Sequence, residues 1–293
     1  MITEIHTGGT IGSRINEKGV AAPEAAAEGR RPYTILSENL CAEYLNLLLE
    51  EVGDVLRDPE TEGIVITHGT DTLQYSAAML QEVFANAACP IMLVSANYVP
   101  EDPRSNGAVN REYAYRFIRE KRGCGVFVSY QNPREALTIH AGDRLLEHEV
   151  FSDRVESLPG QWYGKYSPED GTYTANPEYG RNESKADGKH PKLSDGTVLW
   201  LRPYPGMLYP SIPKETRAVL LGSYHSGTIA VNDGLRSFLK EASERKIPIY
   251  LCGLSRAATV YETSAAYESL GILPIYDESP ITAYCRLWLR YSV

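Results

Sequence analysis

The stretch EIHTGGTIGS places two threonines, Thr7 and Thr10, around a glycine pair directly after a short apolar run. A hydroxyl on a glycine hinge is a candidate nucleophile, because glycine lets the backbone turn sharply beneath it. The same residues also suit a tight turn in which a threonine caps backbone groups. A second polar loop, THGTDT, follows the run Ile64–Ile66 and carries Thr70 and Asp71. These two can serve as the cap of a helix beginning near Leu73. They can equally supply a second hydroxyl with an acidic partner. Acyl transfer through a threonine needs a hydroxyl, a group that takes its proton, and donors facing the developing oxyanion.

The elements that must position these loops are legible from periodicity. Met1–His6 reads as a strand, and the apolar spacing from Leu40 to Val52 reads as a helix with Ser37 at a plausible N-cap. Ile64–Ile66, CPIMLVSAN and CGVFVSY read as strands, alternating with helices over Leu73–Phe84 and NGAVNREYAYRFIREK. This alternation predicts a layered α/β domain with a largely parallel sheet. Ligands of such sheets bind beyond the carboxyl ends of strands. HTGGT, THGTDT and SANYVPEDPRSNG all follow strands, so three polar loops are expected on one sheet edge.

From Gln161 to Gly196 the text turns rich in Gly, Pro, Tyr and polar residues, which reads as a hairpin plus linker without a core pattern. A second, smaller α/β pattern resumes after it. The expected division is a catalytic domain over 1–175, a linker over 176–196 and a C-terminal α/β domain over 197–293.

Composition narrows the function classes. The 293-residue chain is 43% hydrophobic and 23% charged, in the globular range. Its net charge of -9 argues against a nucleic-acid partner, which needs a basic face. The basic run YRFIREKRG suits a helix end, where cations offset the dipole. The five widely spaced cysteines lack a CxxC pair and read as reduced thiols, so a cytoplasmic location is expected. No leader precedes the first strand and no apolar run reaches membrane-spanning length. The six histidines form no ligand-spaced cluster with cysteines or acids, so neither metal nor cofactor is expected.

TGGTIG and THGTDT together, with their order and distance, resemble the bacterial-type L-asparaginase and glutaminase family, as does the ending ESPITAYCRLWL. The resemblance covers nearly the whole chain and implies a two-domain α/β fold. It implies Thr7 as first nucleophile, Thr70 as second essential threonine, and Asp71 as the carboxylate that binds a substrate α-ammonium. Ser37 and Glu38 match the pair that contacts the α-carboxylate and amino group. Backbone near Gly69, Ser95 and Ala96 is implied in the remaining contacts. His68 has no catalytic role in that pattern and is expected to make structural hydrogen bonds. Asp102 and Asp143 are expected in solvent.

Three positions depart from the family pattern. Val20 stands where the mobile loop usually has a tyrosine; Tyr33 is the nearest one downstream. Arg144 matches the arginine that precedes the family lysine, but Glu147 occupies the lysine position. Glu147 could stay protonated and donate, point away, or give place to His148 as base. Thr228 stands where a C-terminal loop commonly has asparagine.

The resemblance implies hydrolysis of L-asparagine, a small amino-acid substrate, to L-aspartate and ammonia, in a homo-oligomer (dimer or tetramer). A binding protein on the same scaffold, with altered or lost chemistry, is the alternative that Glu147, Val20 and Thr228 motivate. A tRNA-dependent amidotransferase subunit carrying this domain is a third reading. The start at the first strand and the acidic balance count against it.

Overall fold

The computed structural model describes residues 1–17, 21–23, 29–180 and 186–292. The chain divides into two compact units, Met1–His190 and Pro191–Val293.

The first unit is built on a seven-stranded sheet. Its parallel part comprises β1 (Ile2–His6), β4 (Gly63–Thr67), β5 (Pro90–Val94) and β6 (Gly125–Gln131), hydrogen-bonded in that order. β4 and β5 are apolar along their length and buried throughout, as a central parallel sheet requires. Helices α1 (Ala42–Leu56), α2 (Leu73–Phe84) and α3 (Gly107–Arg119) connect these strands. Arg116 and Arg119 occupy the last turn of α3, where the basic run was expected to end a helix. Between β1 and α1, β2 (Ser13–Ile15) and β3 (Ala21–Pro23) form a small antiparallel pair.

Beyond β6 the direction reverses. β7 (Leu137–Ala141), β8 (Gly164–Tyr166) and β9 (Tyr173–Ala175) extend the sheet antiparallel. The hairpin expected in the segment after Gln161 is the β8–β9 pair, but it joins the main sheet and packs into the core, where no core pattern was expected. Its core residues are tyrosines: Tyr166 is fully buried with Phe117 and Phe127, and Tyr163 packs tilted against Phe127 with ring centroids 4.5 Å apart. Tyrosine carries enough apolar area to build a core while its hydroxyl disguises it in a hydropathy pattern.

The second unit is a parallel four-stranded sheet of β10 (Val198–Leu201), β11 (Ala218–Leu221), β12 (Ile249–Leu254) and β13 (Ile272–Tyr276). Its helices are α4 (Asp233–Glu244), the short α5 (Glu262–Ala265) and α6 (Pro280–Tyr291). Val219, Leu221, Leu235, Phe238 and Ile249 share its core. Asn232 caps α4 by accepting the Leu235 N–H at 3.0 Å. No helix among the described residues is long and apolar enough to cross a membrane.

Candidate active site

The carboxyl ends of three adjacent strands bring the polar loops together. β1 runs into Thr7, β4 into His68–Asp71, and β5 into Ser95–Asn97. His6 pairs with Thr67 and Thr67 with Val94, so these loops leave the sheet side by side.

Thr7 is buried, and its hydroxyl donates to the Thr67 carbonyl at 2.8 Å. Its carbonyl accepts the Ile35 N–H at 3.1 Å. The glycines after it are required by the path of the chain. Gly8 has φ of 103°, and a Cβ there would stand 2.3 Å from the Ile35 carbonyl oxygen. Gly9 has φ of 79°, and a Cβ there would stand 2.2 Å from the Gly69 nitrogen. The first threonine loop is thus seated directly on the second. Thr10, half-buried, begins a 3-10 turn over Thr10–Gly12.

Thr70 and Asp71 do not cap α2. The N-cap position is Thr72, which makes no side-chain cap bond and instead donates to the Ser37 carbonyl at 2.8 Å. The Asp71 carboxylate accepts the Ser37 hydroxyl at 3.3 Å. Ser37 was expected as the N-cap of α1, but that position falls to Cys41. Ser37 sits in a separate 3-10 turn, Ser37–Asn39, bound to the Asp71 loop, while Glu38 on the same turn is exposed. A Cβ at Gly69 would stand 2.4 Å from the Ser37 hydroxyl oxygen, so this contact needs glycine there as well.

His68 is fully enclosed. Its Nδ1 lies 2.8 Å from the Gly69 carbonyl, which can only accept, so Nδ1 carries the proton. Nε2 then accepts from Ser76 at 2.8 Å. Desolvation pushes its pKa down, and the ring is neutral. Ser95 is buried with its hydroxyl unpartnered, and its carbonyl accepts from Asn110 at 2.8 Å. Ala96 is buried against Gly107.

Tyr33 stands behind the Thr7 loop. Its hydroxyl is buried without a hydrogen-bond partner. Burial drives its pKa far up, and the nearby Thr7 side chain partly offsets this. It is therefore a neutral phenol. Val20, the position of the expected loop tyrosine, lies outside the described residues.

Thr70 and Asp71 open onto a cavity of about 380 Å³. Gln74, Asn97 and Tyr130 line it, together with the loop from Glu147 to Asp153 that follows β7. Thr7, Ser95 and Ala96 are not among its lining residues. The loop's base is fixed: Leu145 bridges to Ser157, and Asn132 clamps Val155 through two bonds of 2.9 and 3.0 Å. Tyr130 donates to the Asp153 carbonyl at 3.0 Å. Glu147, which register puts at the lysine position, and His148, its neighbour considered as a base, both line the cavity. Burial lowers the His148 pKa, with Asp71, Asp153 and Glu147 acting in the opposite sense. Asp143, expected in solvent, is buried beside Arg144, whose guanidinium donates to the Gly180 carbonyl at 3.0 Å. Asp102 faces Arg104, which holds its pKa down at about 2.

Gln74, Asn97, Tyr130, Glu149 and Asp153 escaped sequence reasoning. Gln74 is one turn beyond Asp71 on α2, a signal available from helical spacing. Asn97 follows β5 and Tyr130 lies on β6, elements already read from the sequence, whereas Glu149 and Asp153 depend on β7, whose return brings residues near 150 back to the edge shared by residues near 70.

Comparison with known proteins places the fold and the family. The family described as Asparaginase, N-terminal, matches residues 1–150. A glutamyl-tRNA(Gln) amidotransferase subunit from Methanopyrus kandleri is 28% identical, covering 98% of this chain and 69% of that protein. The corresponding subunit from Thermococcus kodakarensis is 26% identical over 98% of this chain and 70% of its own length. Among solved structures, the thermostable L-asparaginase from Thermococcus kodakarensis superposes with a TM-score of 0.74 at 23% identity, covering 98% of this chain and 92% of that one. L-asparaginase I from Vibrio cholerae gives 0.76 at 19% identity, with 99% and 92% covered. Both structures share the fold described above. The chain is an α/β amidohydrolase of two compact units. It belongs to the asparaginase family.

Proposed function

We propose that this protein hydrolyses a primary amide of a small amino-acid-like substrate through Thr7, in the manner of an L-asparaginase. The observation that carries the reading is the seating of Gly9 on Gly69, which ties the Thr7 loop to the loop of Thr70 and Asp71. In the first step the Thr7 oxygen bonds to the amide carbon, and the C–N bond breaks. The hydroxyl proton goes to the departing nitrogen, which leaves as ammonia. Water then cleaves the ester, giving the carboxylic acid and restoring Thr7. Asparagine gives aspartate by this route.

Tyr33 stays a neutral phenol, so it takes part as a hydrogen-bond relay for the Thr7 proton and not as a phenolate base. On the Thr70 side no lysine among the described residues lines the cavity. The neutral His148 imidazole is the group able to accept a proton from the attacking water, and the carboxylates around it favour the resulting imidazolium. Asp71 holds the substrate ammonium, and Glu38 and the Gly69, Ser95 and Ala96 backbone complete the contacts. A cytoplasmic homo-oligomer, dimer or tetramer, goes with this reading; no disulfide joins the five cysteines. The test is ammonia release from asparagine and glutamine. Thr7→Ala is expected to reduce it at least about 10³-fold, as loss of a nucleophile does.

The relatives' names favour a second reading, in which the chain is the amide-hydrolysing subunit of a glutamyl-tRNA(Gln) amidotransferase. With a net charge of -9, the tRNA contact would then belong to a partner. Glutamine preferred over asparagine, with copurification of a tRNA-binding protein, separates this reading from a free-standing asparaginase.

A further inference from the structure

Two of the five cysteines meet at the amino ends of the strands, opposite the proposed site. Cys89 directly precedes β5 and Cys124 directly precedes β6, and the first residues of these strands, Pro90 and Gly125, are register partners. Two contacts bracket Cys89. The Cys124 thiol donates to the Ala88 carbonyl at 3.1 Å, and that oxygen belongs to the peptide group that carries the Cys89 nitrogen. The Gly125 N–H donates to the Cys89 carbonyl at 3.4 Å. The Cys124 sulfur therefore already rests on the backbone of Cys89. Neighbouring strands run about 4.8 Å apart, within the Cα separation of about 4.4–6.8 Å that a disulfide spans.

Both cysteines also line one cavity of about 360 Å³, and none of the other three cysteines does. Their exposure is unequal. Cys124 is exposed, whereas Cys89 is 7% exposed. Burial raises the Cys89 pKa, and the neighbouring Cys124 adds to the effect. One thiol is open to a small reagent, and its neighbour is sheltered but within reach of the first. An accessible thiol beside a resolving one is the arrangement that oxidation converts to a disulfide.

We infer that Cys89 and Cys124 form an oxidisable dithiol, a modification site whose reagent is a peroxide. The Cys124 thiolate attacks one peroxide oxygen, the O–O bond breaks, and a sulfenic acid and one water result. Rotation of the exposed Cys124 side chain then brings its sulfur onto Cys89. The Cys89 sulfur bonds to it, the S–O bond breaks, and the hydroxyl leaves with the Cys89 proton as a second water. The peroxide is reduced by two electrons, and the dithiol is oxidised to a disulfide that ties β5 to β6.

The test is hydrogen peroxide treatment of the full chain, alkylation of the remaining thiols, and mass spectrometry of tryptic peptides. Trypsin places the two cysteines in separate peptides, 58–104 and 123–134, each with no other cysteine. A linked pair of these peptides that dithiothreitol separates is expected, with Cys41, Cys252 and Cys285 still alkylated. Cys124→Ser is expected to leave Cys89 alkylated after the same treatment. Cys89→Ala is expected to stop at the sulfenic acid on Cys124, captured by dimedone. The linked form is expected to melt at least about 3 °C above the reduced form, because the bridge restricts the unfolded chain. Cys124 overoxidised, or joined to a second chain, while Cys89 stays alkylated overturns the inference. A linked form that melts below the reduced one also overturns it, since the bridge would then need a distorted sheet.

Discussion

Gly9 lies against Gly69, sixty positions away, so closely that a Cβ on Gly9 would stand 2.2 Å from the Gly69 nitrogen. Two loops that leave neighbouring parallel strands are locked face to face by the absence of a side chain. Thr7 precedes this contact by two residues on one side, and Thr70 and Asp71 follow it on the other. The proposed chemistry depends on that approach.

Gly9→Ala is expected to lose activity and to destabilise the first unit by about 1–3 kcal/mol, from backbone overlap added to positive-φ strain. Gly160 is the control. It has φ of 73°, but its nearest foreign atom would be 3.8 Å from an added Cβ, so alanine there carries strain alone. Denaturant unfolding of both variants gives the comparison. Equal losses at the two positions would mean that the contact with Gly69 has no special weight.

Tyr33→Phe separates catalysis from packing. Its hydroxyl is buried without a partner, so its removal leaves stability within about 0.5 kcal/mol of the parent. In the proposed relay of the Thr7 proton, the same hydroxyl is expected to contribute about 10²-fold to kcat. A stable variant with reduced kcat and little change in KM is expected. An unchanged kcat would remove Tyr33 from the proposed chemistry.

As the proposed base, His148 is expected to set the acid limb of activity. Burial lowers its pKa, so the neutral, proton-accepting form persists below the ordinary histidine value. The acid-side inflection of kcat/KM is expected below about pH 6.5 and to vanish in His148→Gln. An acid limb retained in that variant assigns the inflection to another group.

His140 governs stability in acid. It is buried, bonds Ser157 at 2.7 Å, and its pKa is pushed down to about 3. The unfolded chain binds a proton at this residue near pH 6.5 while the folded one does not. Its contribution is therefore intact above pH 6.5 and is lost as pH falls toward 3. In denaturant melts, His140→Gln is expected to flatten the fall in stability between pH 7 and pH 4 relative to the parent. Parallel curves would contradict that assignment.

The parallel half of the first sheet was readable because its strands are continuous apolar runs and its loops punctuate them with Gly, Thr and Asp. The loops were placed on one edge by the alternation of strand and helix alone, and β1, β4 and β5 do lie side by side. The antiparallel half was less legible. Tyr163, Tyr166 and Tyr173 build its core, and tyrosine does not register as a buried period. β7 was not read from the sequence, and that hid the cavity wall, because the return of β7 carries Glu147–Asp153 back toward Thr70. Ser37 shows the limit at a finer scale. Serine before an apolar helix reads as a cap, but its hydroxyl reaches Asp71, a contact that no local spacing encodes.

Acid quench during turnover, followed by mass spectrometry of proteolytic peptides, tests the central claim most directly. An acyl group on Thr7, absent from the Thr7→Ala protein, is the predicted result. An acyl group on Thr10 or Thr70 instead, or undiminished ammonia release by Thr7→Ala, would contradict it.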